Sequence, residues 1–267
     1  MLRTRVISAV VLVALVVSAM GLLPPLPSTL ALTALLAACT WEWSGFQGRG
    51  LPGRALFALI TLAFSALLWR YSADLRGLHR ILWSALIFWT LAAVWVLLLP
   101  KPVNRAITFV AGVLALSFAW LALARMRMDW QLGAWWVMYA LLIVWVTDSC
   151  AYFAGRAWGK RKLAPRVSPG KTWAGLFGGL AGAAVLGVVA QPWLARSAAP
   201  LAVLTVLVAL YSAAGDLTES LFKRYAGLKD SGSLIPGHGG FLDRFDSLLA
   251  AAPVLMLGAS WLGRLPI

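Results

Sequence analysis

Nine apolar runs, each about long enough to cross a membrane, take up most of the chain. A helix needs about 20 mainly apolar residues to cross a hydrocarbon core of roughly 30 Å, because lipid offers no partners for backbone polar groups. The runs cover residues 6–23, 29–47, 55–69, 81–99, 106–124, 132–154, 173–191, 199–221 and 247–263. The sequence therefore predicts an all-α, polytopic membrane protein with about nine transmembrane helices.

The composition excludes a water-soluble globule. Hydrophobic residues make up 61% of the chain and charged residues 12%, which is about half the charged fraction of a typical soluble domain. The net charge of +14 then favours contacts with anionic lipid head groups or a phosphorylated substrate over contacts with nucleic acid. The two cysteines, Cys39 and Cys150, lie in apolar runs and indicate neither a disulfide framework nor a cysteine-based metal site.

The distribution of basic residues predicts how the helices are oriented. If the N-terminus is cytosolic and the runs alternate in direction, most of the 23 basic residues lie in cytosolic segments, as the positive-inside rule requires. The expected location is a bacterial-type inner (plasma) membrane. Residues 1–131 form an N-terminal transmembrane region of about five helices. Residues 132–267 form a C-terminal transmembrane region whose polar loops, 155–172 and 222–246, are expected to face the cytosol.

Carboxylates are scarce in this chain and are concentrated in its C-terminal half. Only nine acidic residues occur, and five of them lie within residues 216–246, while Asp148 lies inside the sixth apolar run. Acids in or beside apolar helices are costly, and they usually face a cavity, an ion or a basic partner. The five clustered acids are Asp216, Glu219, Asp230, Asp243 and Asp246. This clustering marks the candidate functional site.

The spacing of these acids predicts a metal site. Asp216 and Glu219 are three residues apart, as are Asp243 and Asp246, so each pair shares one face of a helix. Two such pairs on neighbouring helices offer the oxygen ligands that Mg²⁺ takes, with water and substrate phosphate completing its shell. Asp216, Asp243 and Asp246 are therefore the predicted ligands. For Asp148 and Glu219, an intramembrane salt bridge is an equally good interpretation.

Basic residues and glycines alternate with these acids over residues 223–240. Lys and Arg bind phosphate as point charges and as bidentate forks, and glycines let backbone N–H groups approach an anion. Lys223, Arg224 and Lys229 are the candidates for phosphate binding. His238 is predicted to contact phosphate or to carry a proton, and a loop histidine satisfied by backbone groups is an equal alternative.

A second polar segment, residues 155–172, ends where the seventh apolar run begins. Ser168, Lys171 and Thr172 bring two hydroxyl groups and an ammonium group to a predicted helix N-terminus, which is a favourable place for a triphosphate. The segment resembles the Gly-Lys-Thr end of a P-loop. However, it has no preceding strand and no first glycine at the required spacing, so we exclude that fold.

These polar stretches resemble phosphatidate cytidylyltransferases, a family also called CDP-diacylglycerol synthases. The longest matching stretch consists of Ser220-Leu221-Phe222-Lys223-Arg224, Lys229-Asp230 and His238-Gly239-Gly240-Phe241-Leu242-Asp243-Arg244-Phe245-Asp246. Residues 148–155 and 168–173 are also similar, so the resemblance covers about residues 145–250. One departure is Cys150, where a glycine or another small residue is expected.

The resemblance implies a reaction in which CTP and phosphatidate give CDP-diacylglycerol and pyrophosphate, with Mg²⁺ as cofactor. The residues assigned to the nucleotide are Ser168, Lys171, Thr172 and Asp148. Those assigned to the catalytic machinery are Asp216, Lys223, Arg224, Lys229, Asp230, His238 and Arg244. Among them, the basic residues neutralise substrate phosphates, and Asp148, Glu219 and Asp230 orient the other groups.

Two other functions fit parts of this pattern. A CTP-dependent lipid kinase would act on similar substrates and leave CDP. An ion-coupled transporter would use the acids in a relay, but transporters often have related halves, and here the acids crowd into one half. Separately, Gly175, Gly179 and Gly182 share a helix face, which predicts close packing within the chain, with a homodimer contact as the other interpretation.

Overall fold

A computed structural model of the chain describes residues 2–48, 50–98, 103–129, 132–195, 197–232 and 239–262. Within these ranges the chain forms nine helices, and each predicted apolar run lies mainly in one of them. The helices are α1 (Leu2–Leu22), α2 (Pro25–Gly45), α3 (Leu51–Tyr71), α4 (Leu75–Leu98), α5 (Arg105–Asp129), α6 (Gly133–Trp158), α7 (Trp173–Leu194), α8 (Ala198–Tyr225) and α9 (Leu242–Trp261). The prediction of a mainly helical chain is therefore confirmed.

Six of these helices, α3 to α8, are long and apolar enough to cross a membrane. The chain is thus a multi-pass membrane protein, while a total of nine crossings and a cytosolic N-terminus remain predictions. Helix α9 is the central one, because every residue from Phe245 to Leu257 is buried. It contacts α8, α5, α4 and α6. Its first two turns, which carry Asp243 and Asp246, therefore lie at one end of the helix bundle.

The glycine face of α7 packs against α6. A Cβ atom added at Gly182 would lie 2.5 Å from the Sγ atom of Cys150, and one added at Gly175 would lie 2.9 Å from the carbonyl oxygen of Ala151. Close packing within the chain is therefore confirmed, and a homodimer remains a prediction. The same contact explains why a small residue is needed at position 150.

Residues 155–172 are not the open loop that we expected. Helix α6 continues to Trp158, and an antiparallel hairpin follows, formed by β1 (Lys162–Ala164) and β2 (Ser168–Thr172). The expectation that no strand precedes Lys171 was therefore wrong, although a two-stranded hairpin is not the parallel sheet of a P-loop fold. The hairpin packs against α4 and α8 through a small apolar cluster. Its members are Val96, Ala164, Val167, Leu217 and Leu221.

The second expected loop, residues 222–246, is helical at both ends. Helix α8 continues to Tyr225 and α9 begins at Leu242, so several predicted site residues lie on helices. Helix α8 ends in a Schellman-type turn at Gly227, which has a φ of 71°. There the N–H of Leu228 donates to the carbonyl of Lys223. The expected loop extended into both helices because an apolar pattern does not show how far a helix continues into polar residues.

Candidate active site

The two polar segments come together at one end of the helix bundle. The ammonium nitrogen of Lys171, on β2, lies 2.5 Å from Oδ2 of Asp216, on α8. A second link is longer, because Nε of Arg224 donates to the carbonyl of Val167 over 3.5 Å. The hairpin therefore folds back over the end of α8, although the whole of α7 separates the two in sequence.

A cavity of about 440 Å³ lies beside the Lys171–Asp216 pair, between α6, α7, α8 and the hairpin. Its volume falls in the range of about 300–1,000 Å³ that is usual for small-molecule sites. The charged and hydroxyl side chains on its wall are Thr147, Asp148, Tyr152, Arg156, Lys162, Lys171, Thr172 and Asp216. Three cations and two carboxylates thus face one space, which suits a polyanionic ligand accompanied by a metal ion.

Thr172 reaches the cavity wall but has a structural task there. Its Oγ1 accepts a hydrogen bond of 3.1 Å from the N–H of Gly175, so it is the N-cap of α7. A Cβ atom added at Gly159 would lie only 2.7 Å from that oxygen, so a glycine is required beside it. Ser168 lies at the other end of β2, paired with Ala164, and it does not line the cavity as described.

A second charged cluster lies on the neighbouring turns of α8 and α9. The ammonium group of Lys223 contacts Glu219 and lies 2.7 Å from Oδ1 of Asp243. Asp243 also accepts hydrogen bonds of 2.9 Å from the backbone N–H groups of Ser231 and Gly240. Both oxygens of Asp243 therefore already have partners, and Lys223 joins the two helices.

Asp246 is buried where α8 and α9 cross. Gly215 allows this close approach, because a Cβ atom there would lie 2.8 Å from the carbonyl oxygen of Asp246. Oδ1 of Asp246 accepts a hydrogen bond of 2.6 Å from the N–H of Ser247. In the described part of the chain, no three acidic, histidine or cysteine side chains already surround a common point as metal ligands. The metal site at Asp216, Asp243 and Asp246 therefore remains a prediction.

Other predicted site residues are exposed at the same end of the bundle. They are Arg224, Lys229, Asp230 and Arg244. Gly239 has a φ of 84° and packs beside Asp230, because a Cβ atom added there would lie 3.2 Å from the Asp230 Cβ atom. His238 lies outside the described residues, so its predicted role remains a prediction.

Glu42, on α2, is a residue at this end that the sequence analysis did not single out. Its side chain is buried, and Oε2 accepts hydrogen bonds of 2.8 Å from the N–H of Leu242 and 3.0 Å from the hydroxyl of Ser231. Phe241, the N-cap residue of α9, offers no side-chain cap. Glu42, on the distant helix α2, instead accepts the hydrogen bond of a backbone N–H in the first turn of α9. The only sequence signal for Glu42 was that it is an acid within an apolar run. Its partner Ser231 is 189 residues away, and the sequence does not reveal that contact.

Comparison with known proteins extends the resemblance over the whole chain. The profile of the Cytidylyltransferase family matches residues 3–261. A phosphatidate cytidylyltransferase from Haemophilus influenzae is 40% identical, over 95% of this chain and 96% of its own length. The protein of the same name from Pseudomonas aeruginosa is 41% identical, over 98% of this chain and 99% of its own length. The family resemblance noted in the sequence is confirmed, and the chain belongs to the cytidylyltransferase family.

Proposed function

We propose that this protein transfers CMP from CTP to phosphatidate, which gives CDP-diacylglycerol and pyrophosphate. The observation that carries this proposal is the cavity at the end of the membrane helices, where Lys171, Lys162 and Arg156 face Asp148 and Asp216. Relatives that align over nearly their full length bear the name of this activity. Membership of the cytidylyltransferase family does not favour the alternative, a CTP-dependent lipid kinase.

The main obstacle to this reaction is electrostatic. A phosphatidate oxygen attacks the α-phosphorus of CTP, the bond from that phosphorus to the bridging oxygen breaks, and pyrophosphate leaves with the bond electrons. The nucleophile is already an anion, so the protein must bring two polyanions together and stabilise the leaving group. We assign Lys171 to the nucleotide phosphates. Lys223 is held between Glu219 and Asp243, and we assign its ammonium group to neutralising substrate phosphate that approaches this end of α8.

The carboxylates of the site fit the predicted Mg²⁺. Asp216 and Asp246 carry oxygen donors on adjoining parts of α8 and α9, and Asp243 lies one turn before Asp246. The ammonium groups of Lys171 and Lys223 contact Asp216 and Asp243, so a metal ion bound there would share or displace these contacts. Mg²⁺ commonly binds through one or two carboxylates plus substrate phosphate. Bound there, it would neutralise charge on the reacting phosphates.

We also propose that the cavity faces the cytoplasm of a bacterial inner membrane. The distribution of basic residues supports this orientation, and CTP is available on that side. The relatives from Haemophilus influenzae and Pseudomonas aeruginosa are bacterial, which supports the choice of membrane.

The experiment that tests the reaction follows two phosphorus labels. Purified protein receives dioleoyl phosphatidate, Mg²⁺ and CTP labelled at the α- or the γ-phosphorus. We expect the α-label in the lipid product and the γ-label in pyrophosphate, with neither product formed when phosphatidate is omitted. Transfer of the γ-label to the lipid would instead identify a CTP-dependent lipid kinase and refute the proposal.

A further inference from the structure

The charged side chains on the cavity wall are sorted by depth. Asp148 lies ten residues before the end of α6 at Trp158, and Asp216 lies nine residues before the end of α8 at Tyr225. At a rise of about 1.5 Å per residue, both carboxylates are roughly 14–15 Å from these helix ends. Lys171 lies beside them through its contact with Asp216. The inner part of the cavity therefore holds both carboxylates and one of the three cations.

The other two cations line the outer part of the cavity. Arg156 follows Asp148 by eight residues on the same helix, which places its Cα atom about 12 Å nearer the end of the bundle. Lys162, the first residue of β1, lies beyond the end of α6. Both residues are exposed and both line the cavity, so they mark its mouth.

Neither of these outer cations is neutralised by a carboxylate of the described protein. No Asp or Glu occurs in the sequence between Asp148 and Asp216. Within the ranges that the structure describes, neither Arg156 nor Lys162 forms a salt bridge. Arg156 donates a hydrogen bond of 3.2 Å to the hydroxyl of Tyr152, which leaves its charge uncompensated. The mouth of the cavity thus offers two positive charges to an anion.

The direction of the reaction identifies this anion. When a nucleophile displaces a leaving group at phosphorus, the attacking and leaving oxygens lie roughly in line on opposite sides of that atom. A lipid nucleophile stays anchored in the bilayer, so its phosphate reaches the α-phosphorus of CTP from the inner, membrane side of the cavity. The β- and γ-phosphates must then point towards the mouth.

We propose that Arg156 and Lys162 bind the β- and γ-phosphates of CTP and then the pyrophosphate that leaves. This inference rests on the proposed function and assigns two residues to its leaving group. When the bond from the α-phosphorus to the bridging oxygen breaks, the electron pair stays on that oxygen, and the guanidinium and ammonium groups stabilise the added charge. A bidentate fork and a point charge both suit phosphate oxygens. Because both side chains are exposed, pyrophosphate held there is released directly to water.

The experiment measures pyrophosphate by itself, in the reverse reaction that converts CDP-diacylglycerol and pyrophosphate to CTP and phosphatidate. We expect Arg156→Gln and Lys162→Gln each to raise the Michaelis constant for pyrophosphate by about tenfold or more, because each loses a charged hydrogen bond to phosphate. The Michaelis constant for CDP-diacylglycerol should be unchanged, because that lipid lacks the β- and γ-phosphates of CTP.

Lys160→Gln and Arg161→Gln are the matched controls. Both residues are exposed on the same basic segment, and neither lines the cavity. Each control removes one positive charge, so it separates a contact inside the cavity from a general effect of charge near the membrane surface. Both controls should keep the wild-type constants. Equal increases in all four variants, or wild-type constants for pyrophosphate in Arg156→Gln and Lys162→Gln, would overturn the proposal.

Inhibition of the forward reaction gives a second measurement on the same variants. Methylenebisphosphonate carries two linked phosphonate groups and neither a base nor a lipid, so it probes the pyrophosphate position alone. Its inhibition constant should rise by about tenfold or more in Arg156→Gln and Lys162→Gln, while the constant for CMP, which has one phosphate, should keep its wild-type value. An equal rise for CMP would show general damage to the site and would contradict the assignment.

Failure of this inference differs from failure of the proposed function. If the wild type released no pyrophosphate from CTP and phosphatidate, the proposed function itself would fail. A wild type that is active in both directions, with unaltered pyrophosphate constants in the two cavity variants, would refute only the roles of Arg156 and Lys162.

Discussion

Replacing Glu42 by glutamine should loosen the start of α9 while leaving the helix bundle folded. Oε2 of Glu42 accepts hydrogen bonds from the N–H of Leu242 and the hydroxyl of Ser231. Bonds to a charged acceptor contribute about 1.5–3 kcal/mol, against about 0.5–1.5 kcal/mol for a neutral one. Each bond should therefore weaken by about 1 kcal/mol, and loss of the negative charge at the helix N-terminus should remove about 0.5–1 kcal/mol more. The expected loss is about 2.5–3 kcal/mol in all.

The effect of this change should reach the catalytic acids through Ser231. The backbone N–H of Ser231 donates to Asp243, and its hydroxyl donates to Glu42, so a displaced Ser231 also displaces Asp243. We expect Glu42→Gln to lower both the melting temperature in detergent and the turnover number for pyrophosphate release. The Michaelis constant for CTP should change less than the turnover number, because Glu42 does not line the cavity.

The matched control for this prediction is Asp129→Asn. Asp129 is an exposed acid that pairs with Arg125 one helical turn away. Arg125 itself is largely buried and also donates to the hydroxyl of Ser72 and the carbonyl of Trp69, so loss of the solvent-screened Asp129 charge should cost at most about 1 kcal/mol. The control should therefore keep the melting temperature and kinetics of the wild type. If Glu42→Gln were indistinguishable from Asp129→Asn in both assays, Glu42 would not hold the start of α9, and the reasoning above would be refuted.

Two further substitutions test the assignments within the site. Asp246→Asn should abolish pyrophosphate release while the protein still inserts and elutes as a folded species, and near-normal CTP-dependent activity would contradict the metal assignment. Lys171→Gln should raise the Michaelis constant for CTP by about tenfold or more, because a charged hydrogen bond to phosphate is lost, with a smaller change for phosphatidate. The exposed Lys160 gives the control Lys160→Gln, and equal effects of both lysine substitutions would contradict the role of Lys171.

The helices were predictable from the sequence because lipid leaves the backbone few choices. A run such as residues 106–124 must satisfy its own backbone polar groups, and the helix α5 that contains it follows from that requirement. The helix ends were less predictable. Polar residues such as Lys223 and Asp243 continue α8 and begin α9, and nothing in their polarity separates a helix end from a loop.

The β1–β2 hairpin could not be predicted from local sequence. Residues 168–172 include a proline and a glycine, which are depleted in strands, so their extended conformation depends on distant partners. Val167 supplies one such contact, because it packs with Val96 of α4 and Leu217 of α8. Tertiary packing of this kind overrides a weak local preference.

The candidate site was predictable as a set of residues and not as an arrangement. The clustered acids and the resemblance identified both polar segments, but the Lys171–Asp216 contact requires the path of the whole of α7. Glu42 shows the same limit more strongly, because it acts on Ser231 across 189 residues of chain. Spacing rules describe neighbours on one helix, and they do not reach contacts between distant helices.

The central claim is that the β1–β2 hairpin and the C-terminal end of α8 form one binding site for a nucleoside triphosphate. Hydrogen–deuterium exchange of the purified protein, with and without CTP and Mg²⁺, tests it most directly. We predict that CTP protects backbone amides both in residues 159–172 and in residues 220–232, with no change near residues 72–75 at the opposite end of α4. Protection of only one of the two segments, or of the opposite end alone, would contradict the account.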